Sequence, residues 1–318
     1  MNSLSNSPRQ DDFAGSARGA EYRPARPDEL SDALALLLGS GALPAQPQQV
    51  QDFVQFAGDR GIDIRNLWVA GAGGRLGWAI LPVISPGRTM LLLTASSRPN
   101  WLDPGPLIEA VCHCFAAEDV QLAQVLVAKE DPEGRELFVR HRFDEMAELL
   151  YLHVAVRRNP APPILPEGWS WRNYSPQSHH SFAVTIRESY RESLDCPGLN
   201  GMRDIEDIVA GHKAAGQFDP RFWLVLLEAN VPRAVLLLNR VPRSEFAELV
   251  YLGLTPPARG RGVGDLVIRH ALWTVRKMEL SNLTLAVDAK NAPALRLYFR
   301  HGMQQVGRKT ALIRDLRA

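Results

Sequence analysis

The 318-residue chain is poor in the residues that mark disulfide-rich and metal-binding proteins. Its three cysteines are too few for a disulfide framework, and the group Cys112-His113-Cys114 lacks the spacing of a zinc site. We therefore expect no metal. Long apolar runs are also missing, which argues against a membrane-spanning helix. The polar N-terminus has no apolar signal segment, so we expect a cytoplasmic protein.

An excess of charge of either sign is absent too. Lys and Arg together number 36, against 35 Asp and Glu, and the formal net charge is +1. Proteins whose main partner is a polyanion usually carry a marked positive balance. We therefore expect neither nucleic acid nor a membrane as the partner of this chain.

The most informative stretch covers residues 246–264 and predicts a strand, a basic glycine turn and the start of a helix. Residues 249–254 are apolar or Gly without polar alternation, which is typical of a strand covered on both faces. The turn that follows contains Arg259, Gly260, Arg261, Gly262, Val263 and Gly264. A glycine-rich turn at a helix N-terminus offers free N–H groups and the positive end of the helix dipole, so it predicts a phosphate or diphosphate site.

Two familiar phosphate-binding loops do not fit this turn. The dinucleotide pattern Gly-x-Gly-x-x-Gly fails because position 265 is Asp, and the Lys-Ser/Thr pair of a P-loop is absent. The turn instead resembles Arg/Gln-x-x-Gly-x-Gly/Ala, the coenzyme A pyrophosphate loop of the GCN5-related N-acetyltransferase (GNAT) superfamily. Arg259, Gly262 and Gly264 occupy the pattern positions.

A second segment resembles the closing motif of the same superfamily, Asn-x-x-Ala-x-x-Leu-Tyr-x-x-x-Gly-Phe. It follows an apolar strand predicted at residues 283–287. The matching residues are Asn291, Ala294, Leu297, Tyr298 and Gly302, with Met303 in place of the usual Phe. The loop and the closing motif occur in the expected order, and the resemblance covers about the last half of the chain.

The sequence also predicts two copies of one α/β unit. The tripeptides around Trp68 and Trp223 are similar, and Leu-Phe-Val-Arg-His around Phe138 parallels Leu-Tyr-Phe-Arg-His around Tyr298. Chance similarity between two α/β domains is the alternative. We predict a disordered tail (1–20), a first domain (21–158), a proline-rich linker (159–168) and a second domain (169–318). The resemblance implies two tandem GNAT folds, each a mixed, mostly antiparallel sheet flanked by helices.

The two copies differ at the phosphate turn. In place of the glycines the first copy has Pro99, Pro104 and Pro106, which lack N–H donors, and Asp103, which adds negative charge. We therefore predict that the first domain is a degenerate, structural copy. This layout resembles that of tandem GNAT proteins in which one half carries out the chemistry.

The resemblance implies that the second domain transfers an acetyl group from the co-substrate acetyl-CoA to a primary amine by direct attack, without metal. It further implies Glu248 as the general base and Tyr298 as the general acid for the leaving thiolate. A solvated ion pair for Glu248 and simple packing for Tyr298 are the alternatives. The implied cofactor-binding residues are Leu252, Gly253, Leu254, Arg259, Gly260, Arg261, Gly262, Val263, Gly264, Asn291 and Leu297.

The acceptor is expected to meet residues 189–204, which form a polar loop. There Asp195 or Glu192 could hold a cationic amine and Arg191 or Arg203 a carboxylate, unless the loop is ordinary polar surface. The acceptor itself, a small-molecule or peptide amine, stays open, and we expect a monomer or weak homodimer. The alternative function is a non-catalytic sensor that binds acyl-CoA, and a longer acyl group or an alcohol acceptor is also compatible with the sequence.

Overall fold

The computed structural model describes residues 19–40, 43–96, 98–156 and 161–317. Residues 1–18 of the predicted tail (1–20) and residues 159 and 160 of the predicted linker lie outside these ranges. The first copy consists of β1 (Ala20–Pro24), α1 (Leu30–Leu37), α2 (Pro47–Arg60), β2 (Trp68–Ala72), β3 (Arg75–Ser85), β4 (Thr89–Thr94), α3 (Gly105–Ala116), β5 (Leu122–Ala128), α4 (Pro132–Arg140) and β6 (Asp144–Ala155).

The second copy repeats this order of elements without exception. It consists of β7 (Trp169–Asn173), α5 (His179–Ser189), α6 (Ile205–Ala214), β8 (Trp223–Glu228), β9 (Val231–Arg240), β10 (Phe246–Leu254), α7 (Val263–Lys277), β11 (Asn282–Asp288), α8 (Ala292–Arg300) and β12 (Gln304–Asp315). The predicted internal repeat and the α/β class are therefore confirmed. Strands β1, β7 and β12 are not evident from the sequence patterns.

One twelve-stranded sheet joins the two copies, in the order β1-β2-β3-β4-β5-β12-β6-β11-β10-β9-β8-β7. Only two neighbouring pairs, β4 with β5 and β10 with β11, are parallel. The other pairs are antiparallel, as the resemblance implies. The domain division at 159–168 stays a prediction, because the sheet runs through both copies.

The copies exchange their last strands. β12 of the second copy pairs with β5, where Ala311 faces Leu126, while β6 of the first copy pairs with β11, where Leu152 faces Leu285. The exchanged strands also pair with each other over most of their length. Leu312 consequently packs in the core of the first copy, and Leu152 packs in the core of the second. Each copy completes the sheet and core of the other.

Helices cover both faces of the sheet because the strands are apolar on both sides. In the second copy, α7 packs on the face that includes Ala247 and Leu249, and α5 and α6 pack on the opposite face that includes Val235 and Leu237. No helix in the described ranges is long and apolar enough to cross a bilayer. The position of α7 matters for the site, because its N-terminus lies at the end of β10.

Candidate active site

A cleft opens where β10 and β11 part. The two parallel strands pair only between residues Phe246–Glu248 and Asn282–Thr284, although β11 continues to Asp288 and β10 to Leu254. A bulge at Val250 interrupts the register of β10 with β9 just beyond this point. An extra residue in one strand bends that strand and increases its local twist. The resulting cleft has a volume of about 490 Å³.

The cleft brings together most of the site residues predicted from the sequence. Those that line it are Leu252, Gly253, Leu254, Arg259, Gly260, Gly262, Gly264, Asn291, Leu297 and Tyr298. Three predicted residues do not line it, namely Glu248, Arg261 and Val263. Val263 is buried among the apolar residues beneath α7, so only its main chain faces the turn. The walls also include Ser189, residues 192–195 and residues 285–287, of which the last set was not predicted.

The glycine turn leaves the N-terminus of α7 open. Gly260 and Gly262 have φ angles of 72° and 77°, in the left-handed region that glycine adopts without a steric cost. Gly262 is the N-cap and supplies no side chain to occupy the first N–H groups of the helix. These N–H groups and the helix dipole therefore face the cleft as a binding site for an anion.

The two arginines of the turn have other partners. The Arg259 guanidinium donates to the carbonyl oxygens of Ser189 (2.9 Å), Leu254 (3.3 Å) and Glu192 (3.3 Å), so it braces the loop after α5 against the end of β10. Arg261 pairs with Glu228 at 2.6 Å. The main-chain amides, more than the arginine side chains, are thus the donors that the turn presents to the cleft.

The corresponding turn of the first copy is closed. The Gly105 N–H at the start of α3 donates to Oδ1 of Asp103 over 3.0 Å. A Cβ atom at Gly105 would lie 2.3 Å from Nε2 of His141, so a side chain covers this helix start. An anionic cap and a covering imidazole leave no room for a diphosphate at this helix.

Tyr298 lies on α8 and lines the cleft with only 7 % of its surface exposed. Burial raises the pKa of its hydroxyl well above the ordinary value, and the nearby carboxylate of Asp195 raises it further. The helix is held close to the turn, because a Cβ atom at Gly264 would lie 3.2 Å from Leu297. The phenol therefore stays protonated within the cleft.

Asp195 is a cleft residue whose position the sequence did not reveal. Its Oδ1 accepts the main-chain N–H of Asp288 at 3.2 Å, and in return the Cys196 N–H donates to Oδ2 of Asp288 at 3.2 Å. Burial raises the pKa of Asp195, while a hydrogen bond with the Asn291 side chain opposes this. Asn291 also caps α8 by accepting the Ala294 N–H. Only the polar composition of the loop hinted at this role.

Glu248 stands at the point where the paired part of β10 ends. Side chains alternate along a strand, so Glu248 points away from the face of Ala247 and Leu249, towards the face that carries α5 and α6. Burial raises the pKa of Glu248, and the charge of Arg60 at the end of α2 lowers it. In turn, the Glu248 charge raises the pKa of Tyr151 on β6. The first copy therefore contributes two titratable neighbours, Arg60 and Tyr151, to this carboxylate.

No group of three or more His, Cys, Asp or Glu residues is placed to hold a metal ion in the part of the chain that the structure describes. Cys112 of the Cys-His-Cys group is buried in α3, and burial raises the pKa of its thiol to about 12.

The fold and the site together define a GNAT-type protein. Residues 184–303 match the acetyltransferase (GNAT) family, so the predicted resemblance to that superfamily is confirmed. The fold of the whole chain is also similar to that of a GCN5-related N-acetyltransferase from Sphaerobacter thermophilus, with a TM-score of 0.62, 16% identity and coverage of 93% of this chain and 96% of that one. A tandem GNAT protein from the clavulanic acid biosynthesis pathway has a TM-score of 0.54, 15% identity and coverage of 93% and 98%.

Curated relatives of this chain include mycothiol acetyltransferases, and the two-copy sequence also resembles mycothiol synthase in its tandem layout. The protein from Jonesia denitrificans is 26% identical over 193 residues, which is 60% of this chain and 58% of that protein. The protein from Thermomonospora curvata is 29% identical over 151 residues, which is 47% of this chain and 49% of that protein. The chain thus spans about half the length of the curated relatives that it matches.

Proposed function

We propose that the second copy is an N-acetyltransferase that moves the acetyl group of acetyl-CoA to a primary amine by direct attack. One observation carries this proposal: the cleft between the parted strands β10 and β11 runs into the open N-terminus of α7. The open N–H groups suit the diphosphate of coenzyme A. The free edge of β10 at residues 252–254 suits the amides of the pantetheine arm, which can pair with it like an added strand.

In this proposal Glu248 accepts the proton of the attacking amine. The amine nitrogen forms a bond to the thioester carbonyl carbon, and the carbon–sulfur bond then breaks. A base is most effective when its pKa lies near the working pH, and burial moves the pKa of Glu248 upward from the usual range of a carboxyl. In this proposal the acceptor lies on the face that carries α5 and α6, to which Glu248 points, opposite α7.

Tyr298 has the complementary role. It lines the cleft opposite the free edge of β10, and its phenol donates a proton to the departing thiolate. Phe138 stands at the corresponding position of the first copy, where the helix N-terminus is closed. The copy with the open turn therefore has a tyrosine hydroxyl at this position, and the copy with the closed turn lacks it. This difference favours a chemical role for Tyr298 over simple packing.

A small-molecule amine is the proposed acceptor, since the relatives named above are mycothiol acetyltransferases. The cleft volume of about 490 Å³ lies within the range of about 300–1,000 Å³ that is usual for small-molecule sites. Asp195 lies within the same cleft and offers a carboxylate to a cationic group of the acceptor or to its amine before proton transfer.

Calorimetric titration of acetyl-CoA into the wild type and the Gly262→Glu variant tests this proposal. We expect one site in the wild type and none in the variant, because the new carboxylate would lie at the anion site. Gly74→Glu is the matched control: Gly74 also has a positive φ, of 78°, and open space around its Cβ position, but it lies in the turn between β2 and β3. This control should retain the site.

Release of free coenzyme A in the presence of a panel of amines then tests turnover. Release of coenzyme A that requires an amine and is slower in the Glu248→Gln variant supports the acetyltransferase function. Tight binding of acetyl-CoA without release for any amine would favour the sensor instead. No binding to the wild type would overturn both, and a second site would show that the first copy also binds acetyl-CoA.

A further inference from the structure

The first copy contains a cavity of its own at the place that corresponds to the cleft. β4 and β5 pair only between Thr89–Leu92 and Leu122–Val125 and then part. The opening between them has a volume of about 270 Å³. It is lined by Leu37, Leu38, Leu91, Leu92, Leu93, Thr94, Leu126 and Lys309. We call it the leucine pocket.

The chemistry of the leucine pocket is simple. Six of its eight lining residues are leucines, and the only charged group among them is the ammonium of Lys309. Lys309 belongs to β12, the strand that the second copy contributes to the first. Its side chain is exposed, and it forms no ion pair with a carboxylate in the described part of the chain. The pocket thus combines leucine side chains with one cation that has no carboxylate partner in the described part of the chain.

Coenzyme A is not a suitable ligand for this pocket. The diphosphate would need the N-terminus of α3, which Asp103 caps and His141 covers. The parted strands β4 and β5 still leave a slot between them, and leucines form most of its lining. A ligand with an alkyl chain, a single negative charge and no diphosphate matches this remainder, because the chain leaves water among the leucines and the charge faces Lys309.

We propose that the leucine pocket binds an unbranched aliphatic carboxylate of medium chain length. The hydrocarbon tail lies among the leucines of α1, β4 and β5, and the carboxylate pairs with the ammonium of Lys309. The volume of about 270 Å³ is near the lower end of small-molecule pockets, which limits the ligand to a short or medium chain. This site is independent of the acetyl-CoA cleft in the second copy.

Titration of sodium octanoate into the full chain, followed by calorimetry, tests the proposal. We expect one site in the wild type. Lys309→Gln should weaken binding about two- to fivefold, because water screens an ion pair made by an exposed ammonium. Lys290→Gln, which removes another exposed lysine outside the pocket, should bind like the wild type. Leu38→Trp should fill the pocket and abolish binding.

The Gly262→Glu variant separates this site from the proposed acetyl-CoA site. Octanoate binding should persist in that variant, and it should persist even if acetyl-CoA binds nowhere. Loss of octanoate binding in Gly262→Glu would place the ligand in the second copy and overturn the proposal. Absence of binding to the wild type, or equal affinity for octanoate and octylammonium, would overturn it as well. If Leu38→Trp fails to fold, Lys309→Gln still tests the proposal, because Lys309 is exposed and its replacement should leave the fold intact.

Discussion

The main-chain N–H of Asp288, at the end of β11, donates a hydrogen bond of 3.2 Å to Oδ1 of Asp195. This bond ties the loop after α5 to the strand that forms one wall of the cleft. It also holds a carboxylate close enough to Tyr298 to raise the pKa of the phenol. The loop, the strand end and the candidate acid therefore form one connected unit.

The Asp195→Asn variant tests this connection through the pH dependence of the rate. The asparagine Oδ1 still accepts the Asp288 N–H, so the loop stays attached while the negative charge is lost. Because the charge of Asp195 raises the pKa of Tyr298, its removal lowers that pKa. We expect the alkaline limb of the kcat profile to move to lower pH. An unchanged limb would show that Tyr298 is not the group that titrates there.

The Tyr298→Phe variant separates chemistry from packing. The first copy already has Phe138 at the equivalent position, 1 % exposed, so the α8 environment should accept the ring with little change in stability. We expect kcat to fall by about 10²-fold or more, as is usual for loss of an acid catalyst. Thermal unfolding and kcat, measured on the same sample, distinguish a role in catalysis from a role in packing. A kcat within twofold of the wild type would show that Tyr298 only packs.

The reverse substitution in the first copy provides a control for the environment. Phe138 contacts Phe143 edge-on, with ring centroids 5.1 Å apart, in an apolar core. Phe138→Tyr would place a hydroxyl there without a partner, which costs about 1–3 kcal/mol of the free energy of unfolding. The rate of a fully folded sample should not change.

Arg60, which belongs to the first copy, should influence the pKa of Glu248, the candidate base in the second copy. Its charge lowers the pKa of Glu248, which burial raises. Arg60→Gln removes that charge, so the pKa of Glu248 should rise and the acidic limb of the rate profile should move to higher pH. Arg60→Lys keeps the charge and should leave the limb in place. Glu248→Gln should lower kcat by about 10²–10⁴-fold and leave the affinity for acetyl-CoA unchanged.

Gly253 on β10 should be intolerant of any side chain. A Cβ atom there would lie 2.4 Å from Oγ of Ser189 and 2.7 Å from Cε1 of Tyr251. We expect Gly253→Ala to lower the free energy of unfolding by about 1–3 kcal/mol through overpacking. Urea denaturation measures this loss. The Ser189→Gly change in the same chain should restore part of it, and no restoration would point to a backbone effect instead.

The strand exchange predicts that neither copy folds alone. A fragment from residue 161 lacks β6, which pairs with all seven residues of β11, and a fragment that ends at 156 lacks β12, the neighbour of β5. We expect each fragment to be unfolded or aggregated and the two to form one folded complex when mixed. Size-exclusion chromatography with circular dichroism checks this. A monomeric, cooperatively folded single fragment would contradict it.

Much of the candidate site was predictable because its residues are close in sequence. Gly260, Gly262 and Gly264 share one turn, and Tyr298 follows its strand at a fixed spacing, so local rules of turns and helix starts apply. The sequence could not show that Arg261 in the turn pairs with Glu228, because that partner lies at the end of β8, 33 residues away. Side-chain partners across strands depend on sheet register, which short patterns do not reveal.

The sequence by itself determined most of the repeated order of strands and helices, apart from β1, β7 and β12, together with the open turn before α7 and the closed one before α3. These features follow from hydrophobic periodicity, glycine and proline, whose effects are local. Only the tertiary structure decided that β6 and β12 change places, that Asp195 meets Asp288 and that Arg60 acts on Glu248. The physical reason is that strand pairing joins main-chain groups that are alike at every residue, so the choice of partner rests on how the whole sheet packs.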